Sequence, residues 1–226
     1  MDVRSPPGSS APPPPSLSAP FLQLLPITGL SIAVFDVDGR QSTVESTDAV
    51  ATRIEELQFE LGEGPHWLAL QSRTPVLISD MREATNDQWP VFGEALSNLP
   101  VGAIFSFPMI LGAVAVGVVD MYRIRPGILS QKDYVLAIAL CGAVAKRAVR
   151  EALRGATRET VGGASPAPAM RREVHQATGI VLVQLDVTAT EAFFILRAHA
   201  FSHGVTLVGV SQDVIAGRLD FRNLPD

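Results

Sequence analysis

Residues 174–221 read VHQATGIVLVQLDVTATEAFFILRAHAFSHGVTLVGVSQDVIAGRLDF, and their spacing decides the fold of the C-terminal part of the chain. Val174, Ala177, Val181 and Leu185 recur with the period of one helix face, and Asp186-Val-Thr188 interrupts the run. A second helix starts there. Thr188 with Glu191 three residues on, just ahead of an apolar run, is the arrangement in which each side chain takes a free backbone N–H of the other. Phe193, Leu196 and Ala200 carry that helix to Gly204, which can close it in the left-handed conformation. Thr206 caps a third helix, with Val210, Val214 and Leu219 along one side and Gln212, Asp213 and Arg218 left for solvent.

Helices this short need a common core, so the spacing predicts an all-α module of three helices. Arg171, Arg172, His175, Thr178, Gln184, Arg197, His199 and His203 remain for its outer surface. Residues 146–226 hold ten Lys/Arg against eight Asp/Glu, whereas residues 1–145 hold eight against fifteen. The net charge of −5 is thus carried by the front part, and the split fits an acidic module joined to one that faces a polyanion.

At Ala177-Thr-Gly179-Ile180, Glu191-Ala-Phe193, Leu196-Arg197 and Ala200 the sequence resembles the ANTAR family of RNA-binding antiterminators over about 50 residues. The third helix, with Leu207, Val210 and Val214, is a looser match. The resemblance implies a homodimer whose two helical units grip paired stem-loops in a nascent transcript and so favour an antiterminator over a terminator hairpin. Arg171, Arg172 and Arg197 would then supply phosphate contacts or stacking, Thr178 and His175 hydrogen bonds, and Gly179 a close approach. Thr178 stands where that family usually has Lys, so one phosphate-directed ammonium is missing. Plainer roles stand beside these: Gly179 also suits helix–helix contact, and Arg197 an ordinary solvated charge. A DNA-reading helix-turn-helix is poorly served, because the third helix offers only Gln212, Asp213 and Arg218 to base edges. A sensor or scaffold with a degenerate, non-RNA-binding helical module is the alternative.

Outward from this module, the chain of 226 residues is long enough for two domains. Residues 1–15, MDVRSPPGSSAPPPP, read as a disordered Pro-rich tail with no secretory signal. The 25 residues from Ala95 to Val119 carry no charge, yet Pro100, Pro108 and three glycines punctuate them. Two buried strands, about Ala103–Pro108 and Ala113–Met121, suit that stretch better than a membrane helix. Further strands are expected at Gly29–Asp36, Gln41–Ser46 and Pro75–Ile78, with a hairpin turn at Asp38-Gly39. Helices are expected at Asp48–Phe59 behind a capping Thr47, at His66–Ser72, at Val91–Leu96, and from a Ser130/Asp133 start to about Leu153.

Leu57-Gln58, Leu61-Gly-Glu-Gly-Pro65, Pro75-Val-Leu-Ile-Ser-Asp80, Phe107-Pro108 and Gly117-Val-Val make this part resemble the GAF sensory domain over about 130 residues. They look like the version fused to ANTAR modules in actinobacteria. The resemblance implies an α+β fold, an antiparallel sheet flanked by helices, and a pocket for an unknown small ligand. His66, Trp89, Phe105 and Phe107 are the candidate lining, although strand aromatics are more often plain core. His66 stands where those relatives often have Cys, and the lone Cys141 lies in the closing helix, which speaks against thiol sensing and a bilin.

No nucleophile–base order, paired carboxylates or phosphate-cradling glycine loop is seen, so no catalytic residue and no enzyme activity is expected. His199 and His203 have zinc-compatible spacing without further ligands, so no metal or other cofactor is expected. Glu55, Glu56, Glu60 and Glu63 read as a solvated acidic face. Tyr134, Ile138, Cys141, Ala145, Ala148 and Ala152 suit either a dimer seam or a cover for the sheet. The expected organisation is a tail at 1–15, a GAF-like sensing or dimerising domain at 16–154, a flexible linker at 155–169 and an ANTAR-like RNA-binding domain at 170–226. The whole reads as a cytoplasmic homodimer with RNA stem-loops as partner and neither DNA nor membrane.

Overall fold

The computed structural model describes residues 15–35, 41–82, 88–159 and 166–223, with the backbone alone for 155–159, 166–172 and Thr190. The Pro-rich tail up to residue 14 and the Asp38-Gly39 turn lie outside the described residues. Helix α1 (Ala19–Leu24) leads into strands β1 (Gly29–Phe35) and β2 (Gln41–Ser46), helices α2 (Ala49–Leu61) and α3 (Pro65–Ser72), and strand β3 (Val76–Ile78). Helix α4 (Pro90–Leu96), strands β4 (Ala103–Leu111) and β5 (Val114–Arg123), and the long helix α5 (Gln131–Glu159) complete the front part. Helices α6 (Pro166–Leu185), α7 (Ala189–Ser202) and α8 (Leu207–Ile215) follow.

The strands form one five-stranded sheet in the order β2-β1-β5-β4-β3, antiparallel at each pairing. The uncharged stretch therefore folds as two strands at the sheet interior, as its prolines and glycines demanded. Alternation sorts its side chains. Phe105, Phe107 and Met109 of β4 and Val119 and Met121 of β5 turn to one face, where α1 and α5 cover them with Phe21, Ala137, Cys141, Ala145 and Ala148. Ile104 and Tyr122 turn to the other face and pack with Ile54, Met81 and Phe92.

Three local details differ from expectation. Helix α2 is capped by Asp48, whose Oδ1 accepts from the N–H groups of Val50 and Ala51, both at 2.9 Å, while Thr47 Oγ1 accepts from Leu30 N. The carboxylate has two oxygens to offer and outcompetes the preceding hydroxyl. The acidic run is no solvated face: Glu55 is buried and accepts from Gln41 Nε2 and Thr43 Oγ1, and Glu63 is buried and accepts from Phe92 N. Only Glu56 and Glu60 pair near the surface, with Arg53. Helix α5 starts at Ser130, whose Oγ accepts from Asp133 N, and runs past Leu153 to Glu159. One glycine in a helix costs only about 1 kcal/mol, so Gly155 does not stop it. Helix α6 starts at Pro166, a residue suited to a first helical turn, so helical backbone covers both ends of the 155–169 stretch.

Of the two roles foreseen for helix α5, the cover for the sheet is the one the fold shows. Cys141, Ala145 and Ala148 lie in the sheet core, whereas Ile138 is exposed, in line with the exposed Val135, Ala139, Gly142 and Ala143. Burial pushes the Cys141 thiol pKa up, which makes it a packing group.

Candidate functional site

The three C-terminal helices share one core, built from Val174, Ala177 and Val181 of α6, Ala192, Phe193, Leu196 and Ala200 of α7, and Leu207, Val210 and Val214 of α8. Both helix starts read from the sequence are present. Thr188 Oγ1 accepts from Glu191 N while Glu191 Oε2 accepts from Thr188 N at 2.8 Å, and Thr206 Oγ1 accepts from Gly209 N. Gly204 closes the turn after α7 at φ +63°. Helices α7 and α8 meet at a bend of 114°, and no single helix among the described residues is long and apolar enough to cross a membrane.

Among the described side chains, the candidate RNA contacts do not form one patch. Thr178 is buried, and its hydroxyl donates to Val174 O at 2.8 Å, so it cannot offer a hydrogen bond outward. This is how a threonine enters a helical core: its hydroxyl is satisfied one turn back. Gly179 beside it is exposed, and a Cβ there would meet nothing within 4 Å, so among the described residues no helix uses its closeness. His175 is half-buried. The side chains of Arg171 and Arg172 lie outside the described residues. Arg197 is no ordinary solvated charge. Its guanidinium lies 5.4 Å from the ring centroid of Trp67 on α3, in the front part of the chain. Burial pushes its pKa below the usual arginine range, against the opposing pull of the Glu63 carboxylate.

That stacking is part of a wider contact between the two modules. Trp67 and Phe59 belong to the same core cluster as the three helices, and the rings of Trp67 and Phe193 lie 5.2 Å apart. Trp67 is fixed from below, since its Nε1 donates to Gln58 O at 2.7 Å and its ring meets the edges of Phe35 and His66. Gly62 ends α2 in the left-handed conformation, and a Cβ there would come within 2.9 Å of Arg197 Cγ. This contact joins residues more than a hundred positions apart, and no local spacing announces it.

The candidate ligand lining is dispersed as well. Phe105 and Phe107 face α5, Trp89 packs with Phe92 and Leu96, and His66 sits on the opposite face of the sheet from the two phenylalanines. Strand alternation fixes this separation, because Phe105 and Phe107 share parity while Ser106 between them looks the other way. His66 instead belongs to a buried polar group that sequence reading missed. Its Nδ1 donates to Asp120 Oδ2 at 2.5 Å, Ser106 Oγ donates to Asp120 Oδ1 at 2.5 Å, and Gln58 Nε2 donates to Asp120 Oδ2 at 3.3 Å. The register places Ser31, Asp120 and Ser106 in one row across β1, β5 and β4. Gln58 Oε1 accepts from His66 N, so the group ties α2 and α3 to the sheet. Among the described residues, His66 Nε2 and Ser31 Oγ have no hydrogen-bond partner.

On α7 the rings of His199 and His203 stack at 4.0 Å, and Phe221 meets His199 edge-on. Among the described residues no three His, Cys, Asp or Glu side chains gather as a metal site.

Hollows among the described residues include two on the surface. The larger, about 800 Å³, lies along α4 and the Pro100–Gly102 and Ile124–Pro126 loops. The smaller, about 460 Å³, lies between the two modules and is lined by Glu63, Gln71, Trp89, Phe194, Arg197 and Phe201.

The GAF domain model matches residues 22–146, more than half of the chain, and the ANTAR domain model matches residues 165–215. No curated protein matches. Among solved structures, the chain is similar to the GAF domain/HD domain protein from Geobacter sulfurreducens, with 20% identity over 61% of this chain and 90% of that one and a TM-score of 0.46. It is similar to the GAF domain of a phosphoenolpyruvate-protein phosphotransferase from Coxiella burnetii, with 15% identity, 62% and 82% coverage and a TM-score of 0.48. The type II free methionine-R-sulfoxide reductase from Thermoplasma acidophilum is similar at 15% identity, with 58% and 86% coverage and a TM-score of 0.43.

Proposed function

The chain belongs to the GAF domain family and carries an ANTAR domain behind it, and from that premise we propose a cytoplasmic, non-enzymatic transcription antitermination regulator that binds paired RNA stem-loops. The observation that carries this reading is the ANTAR match over residues 165–215, which falls on three helices sharing one core. The open backbone at Gly179 leaves room for a ribose or phosphate at the helix surface. The exposed Val135, Ile138, Ala139, Gly142 and Ala143 on α5 support a homodimer, since small residues let two helices approach. Replacing Ile138 by Glu is expected to give a monomer in light scattering.

Arg197 links the two modules. Its guanidinium can lie on Trp67 or reach a phosphate, not both, so RNA and the docked contact compete for it. Such coupling is reciprocal: whatever tightens docking weakens RNA, and RNA loosens docking by the same factor.

A second reading, a GAF sensor or scaffold without RNA binding, is favoured by one observation: Thr178 replaces a cation and turns inward. Titration of the full chain with a dual stem-loop RNA and a scrambled control, at several salt concentrations, separates the two. Selective, salt-dependent binding that Arg197→Ala abolishes supports the antiterminator. Equal, weak binding of both RNAs supports the scaffold.

A further inference from the structure

We propose that the cleft between the two modules is a binding site for a small monocarboxylate with a flat apolar body, gripped by Arg197. Arg197 is half-buried at the cleft wall, yet among the described residues its guanidinium has neither a hydrogen bond nor an ion pair; its contacts are the Trp67 ring and, at longer range, the charge of Glu63. Five N–H donors held partly out of water call for acceptors. A carboxylate fits them best, because its two oxygens match the guanidinium fork.

Glu63 sets the charge of the occupant. Its carboxylate already accepts from Phe92 N and faces the same space, so each negative charge on an occupant meets its repulsion: a monoanion held directly on the Arg197 fork meets it once, and a dianion such as a phosphate monoester twice. The body of the ligand follows from the rest of the α7 wall, on either side of Arg197. Phe194 is 37% exposed and Phe201 63% exposed, two large apolar side chains on α7 that line the cleft together with Trp89. Gln71 adds an amide for a polar substituent. About 460 Å³ lies within the range of small-molecule sites.

The cleft has one wall on each module, so an occupant binds only while the modules are docked, and it holds them so. That regulatory consequence rests on the RNA-binding reading; the site itself does not.

The test uses the full chain without RNA and follows para-trifluoromethylbenzoate by fluorine NMR, with the neutral para-trifluoromethylbenzamide as control. The acid is expected to broaden on adding protein and the amide to stay sharp. Arg197→Gln is expected to weaken the acid about tenfold or more, as loss of a charge-assisted pair does, with Arg197→Lys in between. Phe201→Ser, at an exposed wall outside the helical core, is expected to weaken it too. Both tryptophans of the chain lie at this junction, so unchanged intrinsic fluorescence in Phe201→Ser verifies that docking persists. Equal broadening of acid and amide, or acid binding indifferent to Arg197→Gln or to Phe201→Ser, overturns the proposal. Because no RNA is present, that failure leaves the antiterminator reading standing, and a failed RNA titration leaves the cleft standing.

Discussion

The two modules complete their interiors in different ways. The sheet of the GAF domain is covered by its own helices on both faces, and even a buried charge such as Asp120 is met by three donors from its own fold. The ANTAR helices bury a smaller cluster, and that cluster is finished by Trp67 and Phe59 from the other module. The front module thus has two clusters of its own besides the shared one, whereas the only cluster that the described residues of the back module form is the shared one. Regulation by docking needs this asymmetry, since a switch must come from the less independent partner.

Four measurements would break or sharpen that contrast. The largest effect is expected from Trp67→Ala. It removes a ring that serves both interiors, together with its bond to Gln58 O, at a cost of about 4 kcal/mol. Denaturant unfolding should resolve an early loss of the ANTAR helices; a single undivided transition at the original midpoint would mean that the helices need no help. Asp120→Ala comes next. It strands His66 Nδ1, Ser106 Oγ and Gln58 Nε2, at about 3 kcal/mol, and the loss should be confined to the GAF domain. Hydrogen exchange that rises in both modules alike would refute the separation.

Gly179→Ala should act in the other direction. The site is helical and open, so the change is expected to stabilise α6 by about 0.5–1 kcal/mol while weakening RNA, whose approach the added methyl obstructs. Thermal unfolding and the RNA titration read the two halves of that expectation. The smallest effect concerns acid. Burial, then the neighbouring His203, lowers the pKa of His199 below 6.5, so the folded helices hold fewer protons than the unfolded chain. The associated stability is complete above the unfolded value and drains as pH falls through the lower folded one. Tryptophan fluorescence should show α7 loosening first on mild acidification, and His199→Gln should remove that step.

Much of the fold was legible because it is local. The Thr188/Glu191 cap, the periodicity of Val174, Ala177 and Val181, and the strands read from Ala95–Val119 all depend on neighbours within a few positions. Cap choice at Asp48 was missed by one residue, where two adjacent oxygen-bearing side chains compete. Thr178 was legible in principle, lying four residues beyond Val174 and three before Val181 on the buried face, but its hydroxyl invites an outward reading. The site was scarcely legible. His66 with Asp120, and Trp67 with Arg197, meet through the tertiary fold, and a histidine or an arginine in isolation carries no mark of its partner.

Gly62 carries two constraints that ordinary mutagenesis cannot separate. Its backbone is left-handed, and the space where an L side chain would point is taken by the Arg197 stem. Mirror-image chemistry can part them: a D-alanine built in by semisynthesis welcomes the left-handed backbone and sets its methyl on the other side of the Cα. The D-residue would thus keep both the helix stop and the Arg197 seat, where L-alanine loses both. One position, read in two chiralities, reports how closely the end of a helix in one module is bound to the resting place of an arginine in the other.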